Sequence, residues 1–307
     1  MATRASGVDA LEGHAGPLPR VPRAPSPAET CAWAKTMHRV MPAPSGPGHR
    51  LYWATEGTFG ARELVAGPGA FFIVGRHTTC DVLFDLDPGI SLRHLLVRSE
   101  VLSDGCLVLS ILELDTREGF VIAGTRHHSV AVTGPVVLQV GAYVLVAVPS
   151  GEAPPAPTDA PELRRVHPYR EPPRRALGRS VLTDLQAAID LSAPASSREP
   201  PRGERHELRV GKSGLWAHVP LSDPELERGV LVGRDLRCID SGARQFVTMG
   251  ISRVHVCILK TARGIFAFDT ASTQGTYQDG AAVRQMRLEE GTELVLGVHG
   301  SMNLSWR

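Results

Sequence analysis

The chain has 307 residues, enough for two domains that each bury a core of their own. Lys and Arg number 33 against 32 Asp and Glu, a net charge of +1, with both signs mixed along the sequence. That balance argues against nucleic acid and against an anionic membrane as partners. Cys31, Cys80, Cys106, Cys238 and Cys257 form no close pairs, so neither a zinc ribbon nor a disulfide framework is indicated, and a reducing cytosol suits them. No apolar leader-like region opens the sequence, and no run of about 18 apolar residues interrupts it. The expectation is a soluble, cytoplasmic protein with no metal and no cofactor.

Residues 1–48, centred on GPLPRVPRAPSPAE, carry too little apolar surface to offset their ordering entropy and read as disordered. Residues 49–149 then show short runs rich in Val, Ile and Leu, such as FFIVG, CLVLSIL and YVLVAV. The stretch 150–205 turns Pro-rich again, with near-cancelling charges, and reads as a semi-extended linker. Inside it Leu182, Leu185 and Ile189 follow Ser180 at helical spacing, a fleeting helix over 179–191. Residues 206–307 return to short apolar runs: GVLVG, HVCILK, GIFAFD. Strand-length runs about ten residues apart, with little helical periodicity, predict an all-β fold, two sandwiches or barrels joined by the Pro-rich linker.

The two blocks repeat each other. Gly75-Arg76 with Cys80 matches Gly233-Arg234 with Cys238, and Ser91 with His94 matches Ser252 with His255, at nearly constant offsets. LQVGAYVLV echoes LEEGTELVL, each read as a turn glycine before a closing strand. A slowly drifting offset means one fold duplicated, with changes in loop length. In the second copy Arg234 follows a strand and a glycine, Ser252 opens the next strand beside Arg253, and FDTASTQGTYQDG offers Thr273 and Gln274 before Gly275. If these loops meet at one end of a sandwich, they present a guanidinium fork, two hydroxyls and an amide. Such donors suit a phosphate dianion, which Arg can grip bidentately.

Other chemistries fit less well. A Ser252/His255 hydrolase would need an orienting acid and an oxyanion hole, and no Gly-x-Ser-x-Gly elbow surrounds either serine. VGKSG at 210–214 contains the Gly-Lys-Ser of a phosphate-binding loop, but His206 stands where its first glycine belongs and a strand-like LWAHV follows. His127, His128 and His77 lack ligand partners at metal spacing.

The ordered series Gly233, Arg234, Ser252, His255, Asp269, Ser272, Thr273, Gly275, Thr276 and Gly291 resembles the forkhead-associated (FHA) domain. That resemblance implies a β-sandwich binding phosphothreonine peptides through its end loops. By position, Arg234 and Ser252 would hold the phosphate, Arg253 and Thr273 would assist, and Gln274, where the family usually has Asn, would contact the peptide backbone. Gly233, His255 and Gly275 would be structural. The first block resembles the family less completely: Gly75, Arg76, Ser91 and His94 stand in place, but Leu92 follows the serine. Its later loop, aligned on Gly119 and Gly124, reads about two residues short, with Arg117 and Glu118 where Thr and Asn are expected. The implied protein is a non-catalytic tandem adaptor for Thr-phosphorylated partners, substrates of a Ser/Thr kinase. The alternatives are a phosphate-independent scaffold and, more remotely, a Ser/His hydrolase.

Overall fold

In the computed structural model, the described residues are 25–42, 44–67, 70–114, 116, 119–155, 205–235, 238, 243, 245–298 and 301–307. Two helices and a long series of short strands make up these parts. A helix α1 (Pro27–Val40) comes first. The first block follows as β1 (Gly48–Thr55), β2 (Thr58–Val65), β3 (Phe71–Gly75), β4 (Val82–Leu83), β5 (Leu95–Val101), β6 (Leu107–Glu113), β7 (Phe120–Ile122), β8 (Thr125–His127), β9 (Ser129–Val132), β10 (Val136–Val140) and β11 (Tyr143–Pro149). The second holds β12 (Arg205–Lys212), β13 (Leu215–Ser222), a short helix α2 (Asp223–Arg228), β14 (Val230–Val232), β15 (Val256–Thr261), β16 (Gly264–Asp269), β17 (Thr276–Gln278), β18 (Ala281–Val283), β19 (Gln285–Arg287), β20 (Glu293–Leu296) and β21 (Met302–Trp306).

Strand order makes the duplication explicit. One sheet of the first block runs β2-β1-β11-β10-β7-β8, and one of the second runs β13-β12-β21-β20-β17-β18, the same order element for element. The facing sheets are β4-β3-β5-β6-β9 and β14-β15-β16-β19. Each pair closes on its own core, one including Leu51, Val74, Val97 and Leu145, the other Val210, Val256, Ile258 and Leu304. The architecture is all-β, two sandwiches, as the apolar runs predict.

A third apolar cluster lies between the blocks. Alternate residues of a strand point to opposite faces. In β3, Phe72 and Val74 enter the first core, while Phe71 and Ile73 join Leu96 and Leu114 on the outer face. In β15, Val256 and Ile258 enter the second core, while Cys257 and Leu259 face outward with Phe268 of β16. These two outer faces pack together. Phe71 meets Phe268 edge to face at 5.3 Å between centroids, with the Arg98 guanidinium 5.2 Å from the Phe268 ring and that of Arg284 4.8 Å from the Phe71 ring. Arg284 also pairs with Asp81 across the boundary at 2.6 Å.

Three expectations need correction. Residues 27–40 of the segment read as disordered are helical, because SPAE within the Pro-rich run is a capping signature. Ser26 Oγ accepts the Glu29 N–H at 3.2 Å, and the Glu29 carboxylate accepts the Ser26 N–H at 2.9 Å. Cys31, Ala34 and Met37 then pack on Tyr52, Val146 and Val148 of β1 and β11. Second, the match of LQVGAYVLV with LEEGTELVL is out of step by one strand. Since β10 and β20 both neighbour the β7/β17 position, Gly291 precedes the penultimate strand, and Gly297 is the counterpart of Gly141. The third concerns the length of the loop after β6. Most of the stretch read as a linker, and the helix expected at 179–191, lie outside the described residues.

Candidate functional site

At the end of β14 the chain must pass the turn that precedes β15 with almost no clearance. A Cβ on Gly233 would fall 2.1 Å from the Arg253 carbonyl oxygen, so only glycine fits. The close approach lets the Arg234 N–H donate to the Ser252 carbonyl at 3.1 Å and the Asp235 N–H to that of Arg253 at 2.9 Å. Cys238 Sγ reaches the same Arg253 oxygen at 3.2 Å. Arg234 and Ser252 are thereby held on adjacent loops.

His255 locks the third loop to them. Its Nδ1 accepts the Ser252 N–H at 3.1 Å, so the ring proton is on Nε2, which donates to the Gly275 carbonyl at 2.9 Å. The ring is fully buried, and that burial holds its pKa below the usual histidine value. Gly275 sits at φ 77°, a left-handed turn that suits glycine. The Asp269 carboxylate winds up the rest of the loop, accepting the Ser272 N–H at 2.7 Å, the Ser272 hydroxyl at 2.6 Å and the Thr276 hydroxyl at 2.7 Å. These bonds give the Asp-x-x-Ser-x-x-x-Thr spacing its physical reason. With the loop so wound, the Thr273 N–H donates to Ser252 Oγ at 3.0 Å.

Arg234, Ser252 and Thr273 are therefore brought together through their backbones and the Ser252 hydroxyl. Arg234, Arg253 and Thr273 are exposed, Ser252 is nearly buried and Gln274 is half-buried. Gln274 turns toward the neighbouring loops: a Cβ added at Gly250 or Gly297 would fall 2.9 or 3.3 Å from its Oε1.

The first block repeats the frame bond for bond. A Cβ on Gly75 would meet the Leu92 oxygen at 2.5 Å, and the Arg76 N–H donates to Ser91 O at 3.1 Å. His94 Nδ1 accepts the Ser91 N–H at 3.2 Å while its Nε2 meets Gly119 O at 2.9 Å. What differs is the equipment. Leu92 stands at the place of Arg253, and Arg76 spends its Nε on the Ile90 carbonyl at 3.1 Å. Leu95 pairs with Glu113 as Val256 pairs with Asp269, and the same number of residues separates Glu113 from Gly119 as Asp269 from Gly275. The loop is not short. Glu113 replaces Asp269 and takes the Thr116 hydroxyl on one oxygen and His128 on the other. Arg117 and Glu118 lie outside the described residues.

Two residues at the boundary were missed from the sequence. Arg93 stands where the second copy has Val254, and Thr79 lies in the loop after Arg76; both reach the second block. For Arg93 the available signal was a charged residue in place of an apolar one between the aligned copies; Thr79 carried no such signal. Two of the cysteines are packing thiols: burial pushes the partly buried Cys80 up to about 11 and the buried Cys257 up to about 12, so neither is a thiolate nucleophile.

Residues 230–297 match the family model of the FHA domain. No curated protein matches the chain. Among solved structures, the chain is similar to Mycobacterium tuberculosis Rv1747 FHA-1 at 24% identity over 34% of this chain and 98% of that one, with TM-score 0.27. It is also similar to the FHA domain of an Arabidopsis thaliana hypothetical protein, at 24% identity over 38% and 95%, TM-score 0.27. A third is the FhaA FHA domain complexed with the intracellular domain of Rv3910, at 19% identity over 32% and 98%, TM-score 0.27. The matched segment holds the whole frame just described, and the identical strand order makes the first block a second copy.

Proposed function

With an FHA domain at residues 230–297 and a second copy of its fold in β1–β11, we propose that this chain is a non-catalytic adaptor that binds Thr-phosphorylated proteins. FHA domains are phosphothreonine-binding modules, and the second copy carries the fuller donor set. In this reading Arg234 grips the phosphate with its planar fork, the Ser252 hydroxyl donates to a phosphate oxygen, and Arg253 and Thr273 add further donors. Gln274 contacts the peptide backbone. The observation that carries the reading is the Thr273 N–H bond to Ser252 Oγ. It fills an acceptor site on the hydroxyl and leaves the hydroxyl proton for an incoming anion.

The same geometry opposes a hydrolase. Both ring nitrogens of His255 are committed, one to the Ser252 N–H and one to Gly275 O, so neither is placed to take the Ser252 hydroxyl proton. In the first copy Arg76 and Ser91 remain as a reduced phosphate site, weakened by Leu92. The partners are substrates of a Ser/Thr kinase in the cytoplasm, and the output comes from bringing them together. No helix among the described residues is long and apolar enough to cross a membrane.

The test is a panel of phosphothreonine peptides of varied sequence offered to the full chain, each beside its unphosphorylated twin. Selective capture of phosphorylated members supports the reading. Capture of both forms alike replaces it with a phosphate-independent scaffold.

A further inference from the structure

The carbonyls of Thr270 and Ala271, in the loop that carries Thr273 and Gln274, take their donors from the other block. Arg93 Nε donates to Thr270 O at 2.7 Å and to Ala271 O at 3.1 Å, and its Nη2 donates to Ala271 O at 2.5 Å. Thr79 Oγ1 adds a bond to the same Ala271 oxygen at 2.7 Å. Every one of these donors belongs to the first block. Arg93 is only 5% exposed and Thr270 is fully buried, so these bonds lie away from solvent.

The loop has a reason to need them. Ala271 adopts φ 60°, a left-handed conformation that costs a non-glycine residue on the order of 1 kcal/mol. That turn aims its carbonyl out of its own domain, at the boundary. Inside the domain the loop is anchored on either side of this point: Thr270 Oγ1 donates to Val254 O at 2.9 Å, and Asp269 holds Ser272 and Thr276. The Ala271 carbonyl lies between those anchors, two residues before Thr273. Arg93 in turn has a reason to be there. At the equivalent place the second copy buries Val254, so the first copy puts a charge where the fold tolerates an apolar side chain. A buried guanidinium persists only when its donors are answered.

We propose that Arg93, with Thr79, is a positioning residue for the second domain's binding loop, so that the first domain completes the second domain's site across the boundary. This rests on the phosphopeptide reading for its consequence, but the clamp itself is a property of the free protein. The first copy thus serves as a brace, whatever its own binding.

The experiment uses the full chain with Arg93→Met, which keeps length and removes the donors, Arg93→Lys, which retains a donor, and Thr79→Val. Amide hydrogen exchange is followed at Thr273 and along β15, and phosphothreonine-peptide affinity is measured by calorimetry. A charge-assisted bond lost onto a buried carbonyl predicts faster exchange at Thr273 by about tenfold or more in Arg93→Met, with β15 unchanged. Affinity falls by a similar factor, Arg93→Lys recovers part of both, and Thr79→Val gives a smaller change in the same direction. Unchanged exchange at Thr273 overturns the proposal. Exchange rising equally along β15 overturns it too, since it shows general loosening of the domain. If the unmodified chain binds no phosphopeptide, the functional reading fails, and the exchange data still decide the clamp.

Discussion

Replacing Phe71 and Phe268 with Ala, singly and together, measures whether the two sandwiches form one unit. Each ring is buried, Phe71 at 4% exposure and Phe268 at 1%, and each is the other's edge-to-face partner at 5.3 Å. Truncating a buried Phe costs about 3–5 kcal/mol through lost transfer energy and the cavity left behind. The aromatic pair adds about 0.5–1.5 kcal/mol that either single variant removes. Arg98 lies over Phe268 and Arg284 over Phe71, so each truncation also strips a cation of its ring. The double variant should therefore be less unstable than the sum of the singles, by about 1–2 kcal/mol. Urea unfolding of the full chain provides the four stabilities, and Leu at both positions provides a milder series should the Ala pair not fold. Additivity within about 0.3 kcal/mol would refute the packed boundary, because residues that do not touch do not couple.

His49 should make the protein acid-sensitive. It is 1% exposed with Nδ1 against Ser99 Oγ at 2.8 Å, and burial lowers its pKa to about 4. The unfolded chain protonates it as pH falls through about 6.5, while the folded chain resists until about 4, so stability is lost across that window, by up to about 3 kcal/mol. The slope of stability against pH in His49→Asn, compared with the parent, checks this; identical slopes refute it. Gln274→Asn should keep or improve phosphopeptide affinity, because it restores the shorter amide that the FHA resemblance implies at this turn. A calorimetric loss as large as that from removing Arg234 would show that the Gln reach is required. Limited proteolysis should cut within the Pro-rich stretch 150–205, and the two products should elute together from a sizing column, held by the Phe71–Phe268 face; separate elution would contradict that packing.

Much of the second domain was legible because its signals are local. Ser252 three residues before His255 and Asp269 three before Ser272 each encode a short-range bond that the folded loop makes, and Gly233 before Arg234 marks the close approach to Arg253. The boundary was not legible in the same way. FFIVG and HVCILK read as buried strands, and they are; but a continuous apolar run also means burial on both faces, and the second face needs a partner. Nothing within either block names that partner. The helix at 27–40 was hidden by the composition around it, since Pro and Ala dominate the stretch and SPAE is only four residues long. Loop length in the first copy was misjudged by aligning on residue type, where strand register, Leu95 opposite Glu113, fixes the length.

The central claim is tested most directly at Arg234, by calorimetric titration of the full chain with one phosphothreonine peptide and its unphosphorylated form. Arg234 is exposed at the mouth of its loop, so Arg234→Ala should leave the thermal melt nearly unchanged. Losing one partner of a hydrogen-bonded charge pair that the bound peptide desolvates costs roughly 2–5 kcal/mol, which weakens binding by about thirtyfold or more. Arg234→Lys should recover only part, since a point charge lacks the planar fork. The account predicts tight binding of the phosphorylated peptide, weak binding of its twin, and loss of the difference in Arg234→Ala. Equal affinity for the two peptides, or full phosphopeptide affinity in Arg234→Ala, would contradict it.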